Sequence, residues 1–423
     1  MGESKKFGAS EAVTVCTVVT PMHKRLAALN RRLEDHLNPG VEARWIVVHN
    51  PDLHIGASRE RALLAQAGGA KGLSPAARRE RLQAEIAKRF DPEPIETLFP
   101  DAQAVPGPSL RDTFDRVFAA TATVQPDTAE RRRLLEKYLA SYHHAEALSL
   151  ALERVTTRYA VVVDPDFYVV RPDWIAAVLA RMAEAGLAAF GAPWSPRWYQ
   201  KFRGFPCTHL MVLDLERRPW SKDMLAPDLV GGGRRYASPV WTDYPRARAK
   251  GRTAATAYLV RHAVAAVSED LRQRASIGAS RDTGYRLALD FARDPALKAE
   301  TLTPVFAPTD GFMPAAVTGP QLHGPLEALL ADRWRYLPRG AGRASPEGFR
   351  DQGYPDFRAR GWEEFLWRGE PFAFHVRGEM RREPLGGVDA DELLAGLNAV
   401  LVRLGHPPLD RSRTDCRQTD AER

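Results

Sequence analysis

With 423 residues, 44% of them hydrophobic and 27% charged, the chain has the balance of a globular protein that buries a sizeable core in one large domain or two smaller ones. Sixty basic against 53 acidic residues leave a net charge of +7, which favours anionic partners such as nucleotides, phosphates or a lipid surface. No Lys/Arg block with interleaved aromatics points to nucleic acid, no apolar run is long enough to span a membrane, and Cys16, Cys207 and Cys416 give neither a disulfide framework nor a zinc spacing, which fits a reducing cytoplasm.

Residues 1–11 read as a flexible N-terminus. Lys5-Lys6 before an apolar run mimics a signal peptide without a cleavage site, and Lys6 breaks the myristoylation pattern that Gly2 begins. Residues 12–20 (AVTVCTVVT) predict a buried strand, broken by Pro21. Leu26, Leu29, Leu33 and Leu37 recur at three-to-four spacing and predict an amphipathic helix over 23–37, stopped by Asn38-Pro39-Gly40. Residues 45–48 predict a second strand, ending at His49-Asn50-Pro51-Asp52. A strand–helix–strand order predicts neighbouring parallel strands with ligand-facing loops after Thr20 and after Val48. The Ala/Arg/Glu-rich stretch 59–90, split by Gly68-Gly69, predicts an inserted helical pair. Five prolines in 91–109 leave room for one short strand at 102–105. A long helix over 130–152 carries His143, His144 and Glu146. Adjacent helical positions point about 100° apart, so the two histidines cannot share an ion, and His144 reads either as a hydrogen-bonding residue beside a ligand or as a partly buried helix histidine.

The stretch 158–174 (RYAVVVDPDFYVVRPDW) organises the rest. Tyr159–Val163 predicts a strand buried on both faces, cut off by Asp164-Pro165-Asp166 before a second apolar run at 167–170. Two carboxylates at the end of a buried strand are costly without a positive partner. They suit Mg2+ or Mn2+ if they converge, and they suit a simple polar turn if they do not. Beyond them come a helix over Trp174–Ala185 ended by Gly186, a strand at 187–190, and an aromatic, basic loop at 193–205. In that loop Arg197, Lys201 and Arg203 either contact phosphate or pack the loop. A strand at 208–215, a Gly- and Arg-rich lid at 229–250 and a helical region at 254–274 with Asp270 follow. Asp282 precedes a helix at 285–291, as an N-cap or as a carboxylate facing a cleft. His375 lies in a strand-like aromatic run at 371–380 and by itself reads as a core histidine. A final helix at 389–404 opens with the Asp389/Glu392 capping box and stops at Gly405, and residues 410–423 read as disordered.

Taken in order, VTVCTVVTP before a helix, WIVVHNPD, SYHHAEALSLAL before YAVVVDPDFYV, and the late FAFHVRG resemble the family 2 glycosyltransferases and their relatives with the GT-A nucleotide-sugar fold. The resemblance is best over 13–215 and thinner over 275–378. It implies an α/β fold with a mixed, mostly parallel central sheet and helices on both faces, plus a helical insertion. The chain then divides into a nucleotide-sugar-binding half (12–215, insertion 56–90), an acceptor-side and catalytic half (216–388), a C-terminal helix (389–405) and a disordered tail (406–423).

The same resemblance implies a nucleoside-diphosphate sugar as donor and Mn2+ or Mg2+ as cofactor. Asp166 matches the metal-binding carboxylate, Asp164 the one facing the donor and the metal, and His375 the histidine that completes the metal shell. Thr20 and Pro21 match the loop that approaches the base. His49 stands where the family has an acidic residue, so base recognition passes to Asn50 or Asp52, with His144 beside the donor. Asp282 matches the general base, with Asp270 as the alternative. The implied activity is inverting transfer to a hydroxyl of a glycan or lipid-linked acceptor. It belongs to bacterial surface glycan or polysaccharide synthesis in the cytoplasm, and peripheral membrane association stays open. A catalytically inactive nucleotide-sugar-binding protein is one alternative. A nucleotidyltransferase of related fold is another, but it would show a Gly-rich loop where this chain has TPMHKRL. Mutual repulsion of Asp164 and Asp166 further predicts that losing one leaves the metal-free protein equally or more stable.

Overall fold

Apolar and β-branched residues fill β1 (Val13–Val19), and all seven are buried, as a central strand of a parallel sheet requires. The computed structural model describes residues 13–20, 23–50, most of 64–84 and 103–119, 129–195, 205–227, 249–257, 282–306, 344–376 and 390–409. After β1 come α1 (Lys24–Leu37), β2 (Ala43–His49), β3 (Gln103–Pro106), α2 (Ala129–Glu153) and β4 (Tyr159–Val163). These four strands are parallel, with β1 between β2 and β4. The chain continues through β5 (Phe167–Val169), α3 (Trp174–Ala185), β6 (Ala189–Gly191), β7 (Leu210–Asp214), α4 (Tyr285–Arg293), β8 (Ala299–Thr301) and β9 (Thr303–Pro304). It ends with β10 (Glu363–Trp367), β11 (Glu370–His375) and α5 (Ala390–Arg403).

The main sheet has seven strands in the order β3-β2-β1-β4-β7-β6-β8, and β7 alone runs against the others. Strand alternation sends Cys16, Val18, Ile46, Val48, Ala160 and Val162 to one face, where Ala145, Leu148 and Leu152 of α2 cover them. Val13, Val15, Trp45, Val161 and Val163 point the other way, onto Trp174, Ile175, Val178 and Met182 of α3. Helices therefore cover both faces, and Tyr159–Val163 is internal, as the α/β expectation requires. α3 stops where Gly186 takes a left-handed φ of 64° and the Leu187 N–H turns back to Met182.

A second, antiparallel sheet was not foreseen: β5-β11-β10-β9. The apolar run after the two aspartates crosses into it, so β5 ties the main sheet to a strand two hundred residues later. Leu29, Leu33 and Leu37 of α1 pack against Tyr168, Phe374 and the α5 residues Leu393, Leu397 and Leu401. Residues 1–11, Pro21, Asp52, most of the 56–90 insertion, Arg197, Lys201, Arg203, most of the 229–250 lid, Asp270, Asp389 and the tail 410–423 lie outside the described residues. Among the described residues, no helix is long and apolar enough to cross a membrane.

Candidate active site

β1, β2 and β4 end on one edge of the sheet, and the chain leaves that edge at Thr20, Asn50 and Asp164. Successive strands are laid down on one side of β1 up to β3 and on the other side from β4 onward. The crevice between β1 and β4 is thus a topological switch point, where open α/β sheets take their ligands.

The Asp-Pro-Asp turn at this point is fixed by its backbone. The Phe167 N–H donates to the Asp164 carbonyl at 3.1 Å, and the buried Asn30 amide of α1 donates to the Phe167 carbonyl at 2.9 Å. Because β4 and β7 are antiparallel with Val163 opposite Leu210, Asp164 falls opposite His209, and its N–H donates to the His209 carbonyl at 3.0 Å. The Asp164 side chain is one-fifth exposed, with His144 Nε2 3.5 Å from Oδ1 and His209 Nε2 3.8 Å from Oδ2.

Asp166 is buried and turns to the second sheet. Its carbonyl accepts the Val376 N–H at 3.1 Å, and its Oδ1 lies 3.2 Å from His375 Nε2. Across β10 and β11, Glu363 pairs with His375 in register and places Oε2 3.1 Å from Nδ1. Burial pulls the His375 pKa down, but the charges and hydrogen bonds of Asp166 and Glu363 outweigh it and carry the value to about 9. His375 thus sits between two buried carboxylates that favour its protonated form. Asp164 and Asp166 each face imidazoles, which opposes the relief of repulsion expected on removing one of them.

His209 is buried. Its ring centroid lies 4.4 Å from those of Trp194 and His375, and its Nδ1 is 3.1 Å from Cys207 Sγ. Asp164, His209 and His375 each present one ligand atom within 4.8 Å of the other two. This donor set of one carboxylate oxygen and two imidazole nitrogens fits a divalent cation, and Asp166, expected as the metal-binding carboxylate, is not part of it.

The other expected residues that the structure describes are Thr20, His49, Asn50, His144 and Asp282. Thr20 is half-buried, with Oγ1 3.0 Å from His23 Nδ1. Asn50 is buried and donates its amide N–H to His143 Nδ1 at 2.8 Å, while His143 Nε2 faces the Pro108 carbonyl. Among the described residues, Asn50 Oδ1 is buried without a hydrogen-bond partner. His49 is half-buried and is held through its carbonyl by Gly107. Asp282 is not the N-cap of α4, a position taken by Gly284. It stands just ahead of it, with Oδ1 accepting the Thr283 N–H at 2.8 Å. Thr283 Oγ1 in turn donates to the Ser141 carbonyl of α2 at 2.8 Å. Ser141 lies about one turn ahead of His144, so Asp282 is tied to the helix that brings His144 to Asp164.

Sequence reading passed over His209, Glu363 and Asn30, and it named His143 only as a neighbour of His144. A histidine at the head of an apolar strand (THLMVL) was the available signal for His209, and the antiparallel register was needed to use it. Glu363 opens a strand with two glutamates, a weak strand pattern, and its role emerges only opposite His375.

No protein-family model and no curated protein matches this chain. Solved structures do resemble it. The apo form of mouse xyloside xylosyltransferase 1 matches over 69% of this chain and 85% of its own, at 10% identity and a TM-score of 0.29. The galactosyltransferase LgtC with donor and acceptor sugar analogues matches over 50% of this chain and 62% of its own, at 9% identity and a TM-score of 0.26. The mannosyltransferase PcManGT of Pyrobaculum calidifontis, with GDP-Man and Mn2+, matches over 67% of this chain and 70% of its own, at 15% identity and a TM-score of 0.24. Likeness at this level assigns no substrate and no residue.

Proposed function

We propose that this chain is a metal-dependent, inverting glycosyltransferase that moves a sugar from a nucleoside-diphosphate sugar to a hydroxyl acceptor. The observation that carries the reading is the convergence of Asp166 with His375, 209 residues later, beside Asp164 at the switch point of the sheet. Asp164, Asp166 and His375 would hold Mn2+ or Mg2+, with Glu363 orienting the His375 ring through Nδ1. When bound, the ion supplies Lewis-acid neutralisation of the negative charge that builds on the departing diphosphate.

The chain's own groups do the rest. The buried acceptor Asn50 Oδ1 suits an N–H of the nucleobase, and Thr20 lies on the neighbouring loop. Asp282 takes the proton of the acceptor hydroxyl as its oxygen bonds to the anomeric carbon and the bond from that carbon to the diphosphate breaks. Attack opposite the leaving group inverts the anomeric centre. Acceptors are glycans or lipid-linked glycans of a bacterial surface polymer, met in the cytoplasm or at its membrane face.

Incubation with nucleotide-sugars and such acceptors, followed by NMR of the product, tests the reading. Inverted configuration, obtained only with a divalent ion, is the expected result. A retained configuration would remove the need for an acceptor-side base and defeat the assignment of Asp282.

A further inference from the structure

His144, His209 and His375 all lie near the two aspartates, but they are not equivalent. The His209 Nε2 to Asp164 Oδ2 separation of 3.8 Å is beyond hydrogen-bond reach. A separation of this size suits two donors that face a common ion rather than each other. His209 is buried, its ring is packed between Trp194 and His375, and its Nδ1 is engaged by Cys207, which leaves Nε2 aimed at Asp164. Its ligand atom belongs to the cluster with Asp164 and His375, all within 4.8 Å. His144 is outside that cluster and half-buried.

We propose that His209 is a direct ligand of the ion with Asp164 and His375, so that two imidazoles share it and the centre selects Mn2+ over Mg2+. This rests on the metal-dependent reading above and adds a residue and a selectivity to it. An all-oxygen shell suits Mg2+, and each imidazole that replaces an oxygen shifts preference toward the transition ions. Cys207 acts behind the ligand: Sγ, 3.1 Å from Nδ1, holds the ring with Nε2 toward Asp164.

The test uses the full chain with Mn2+ alone and counts manganese-bound nitrogens by electron spin echo envelope modulation. Two imidazole nitrogens are expected in the wild type and in His144→Gln, and one in folded His209→Gln. In His209→Gln, Mn2+ affinity should fall about tenfold or more while Mg2+ affinity barely changes. One nitrogen in the wild type, or two remaining in His209→Gln, overturns the assignment and leaves the proposed function standing. Absence of Mn2+ binding to the wild type removes both. If His209→Gln does not fold, His144→Gln decides: two nitrogens retained there support His209, and loss of one overturns it.

Discussion

His375 stands between two buried carboxylates, and this sets what loss of either one does. Asp166→Asn should abolish metal-dependent nucleotide binding and also lower the stability of the metal-free protein, by about 3 kcal/mol, because it leaves a buried imidazolium short of a partner. Chemical denaturation without metal measures this, and an unchanged or raised midpoint contradicts the pairing. The sign of the pH dependence follows from the raised His375 pKa. Its stabilisation is fully present below the ordinary value of 6.5 and disappears as pH rises through about 9. Glu34 behaves in the opposite sense from an ordinary carboxylate. Burial pushes its pKa up to about 8, although the Trp174 indole N–H donates to it at 2.6 Å and Asn38 at 2.9 Å. The folded state then holds a proton that the unfolded chain has released, so this group costs stability as pH rises from about 4.5 to 8. Glu34→Gln keeps an acceptor for the indole and removes the ionisation. It should flatten the fall in melting temperature over that window and stabilise the protein at pH 8 by a few kcal/mol, on the order of the shift. A melting curve whose pH slope is unaltered in the variant would refute this.

At the scale of elements, the site depends on how closely β6, β7 and β4 approach. A Cβ on Gly191 in β6 would collide with the Leu210 carbonyl of β7, next to His209. Gly191→Ala should destabilise the protein by roughly 3 kcal/mol and weaken Mn2+ binding together, because the backbone that must move carries His209. Loss of stability with unchanged metal affinity would show that β7 tolerates the shift without moving its histidine. This dependence on register also explains what was legible beforehand. Tyr159–Val163 and Trp174–Ala185 were readable because a short β-branched run and an apolar periodicity ended by Gly186 are local signals. β10 was not, because Glu363 and Glu364 open it and both are buried. Glu364 spends its carboxylate on the backbone N–H groups of Phe349, Phe357 and Arg358. Nothing local announces a glutamate that caps a turn from inside a strand. The two aspartates and His375 were visible as residues, while their partners His209 and Glu363 depended on antiparallel pairings across long separations.

For the whole molecule, the main sheet supplies the crevice and the second sheet supplies His375 and Glu363, so the centre exists only when both have formed. Asp282 is tied to α2 through its neighbour Thr283, which bonds to the Ser141 carbonyl. Asp282→Asn should lower turnover by a factor on the order of 10²–10⁴ with little change in donor affinity. Weakened donor binding at unchanged turnover would make Asp282 a donor contact instead. The most direct measurement is a thermal-shift screen of UDP-, GDP-, dTDP- and CDP-sugars, with and without Mn2+, on the wild type and on Asp166→Asn. A donor at a hundred times its Kd should add about 2.7 kcal/mol of stability. One nucleotide class should raise the melting temperature only with Mn2+, and the rise should vanish in Asp166→Asn. No rise with any donor, or an equal rise without metal and in the variant, would contradict this.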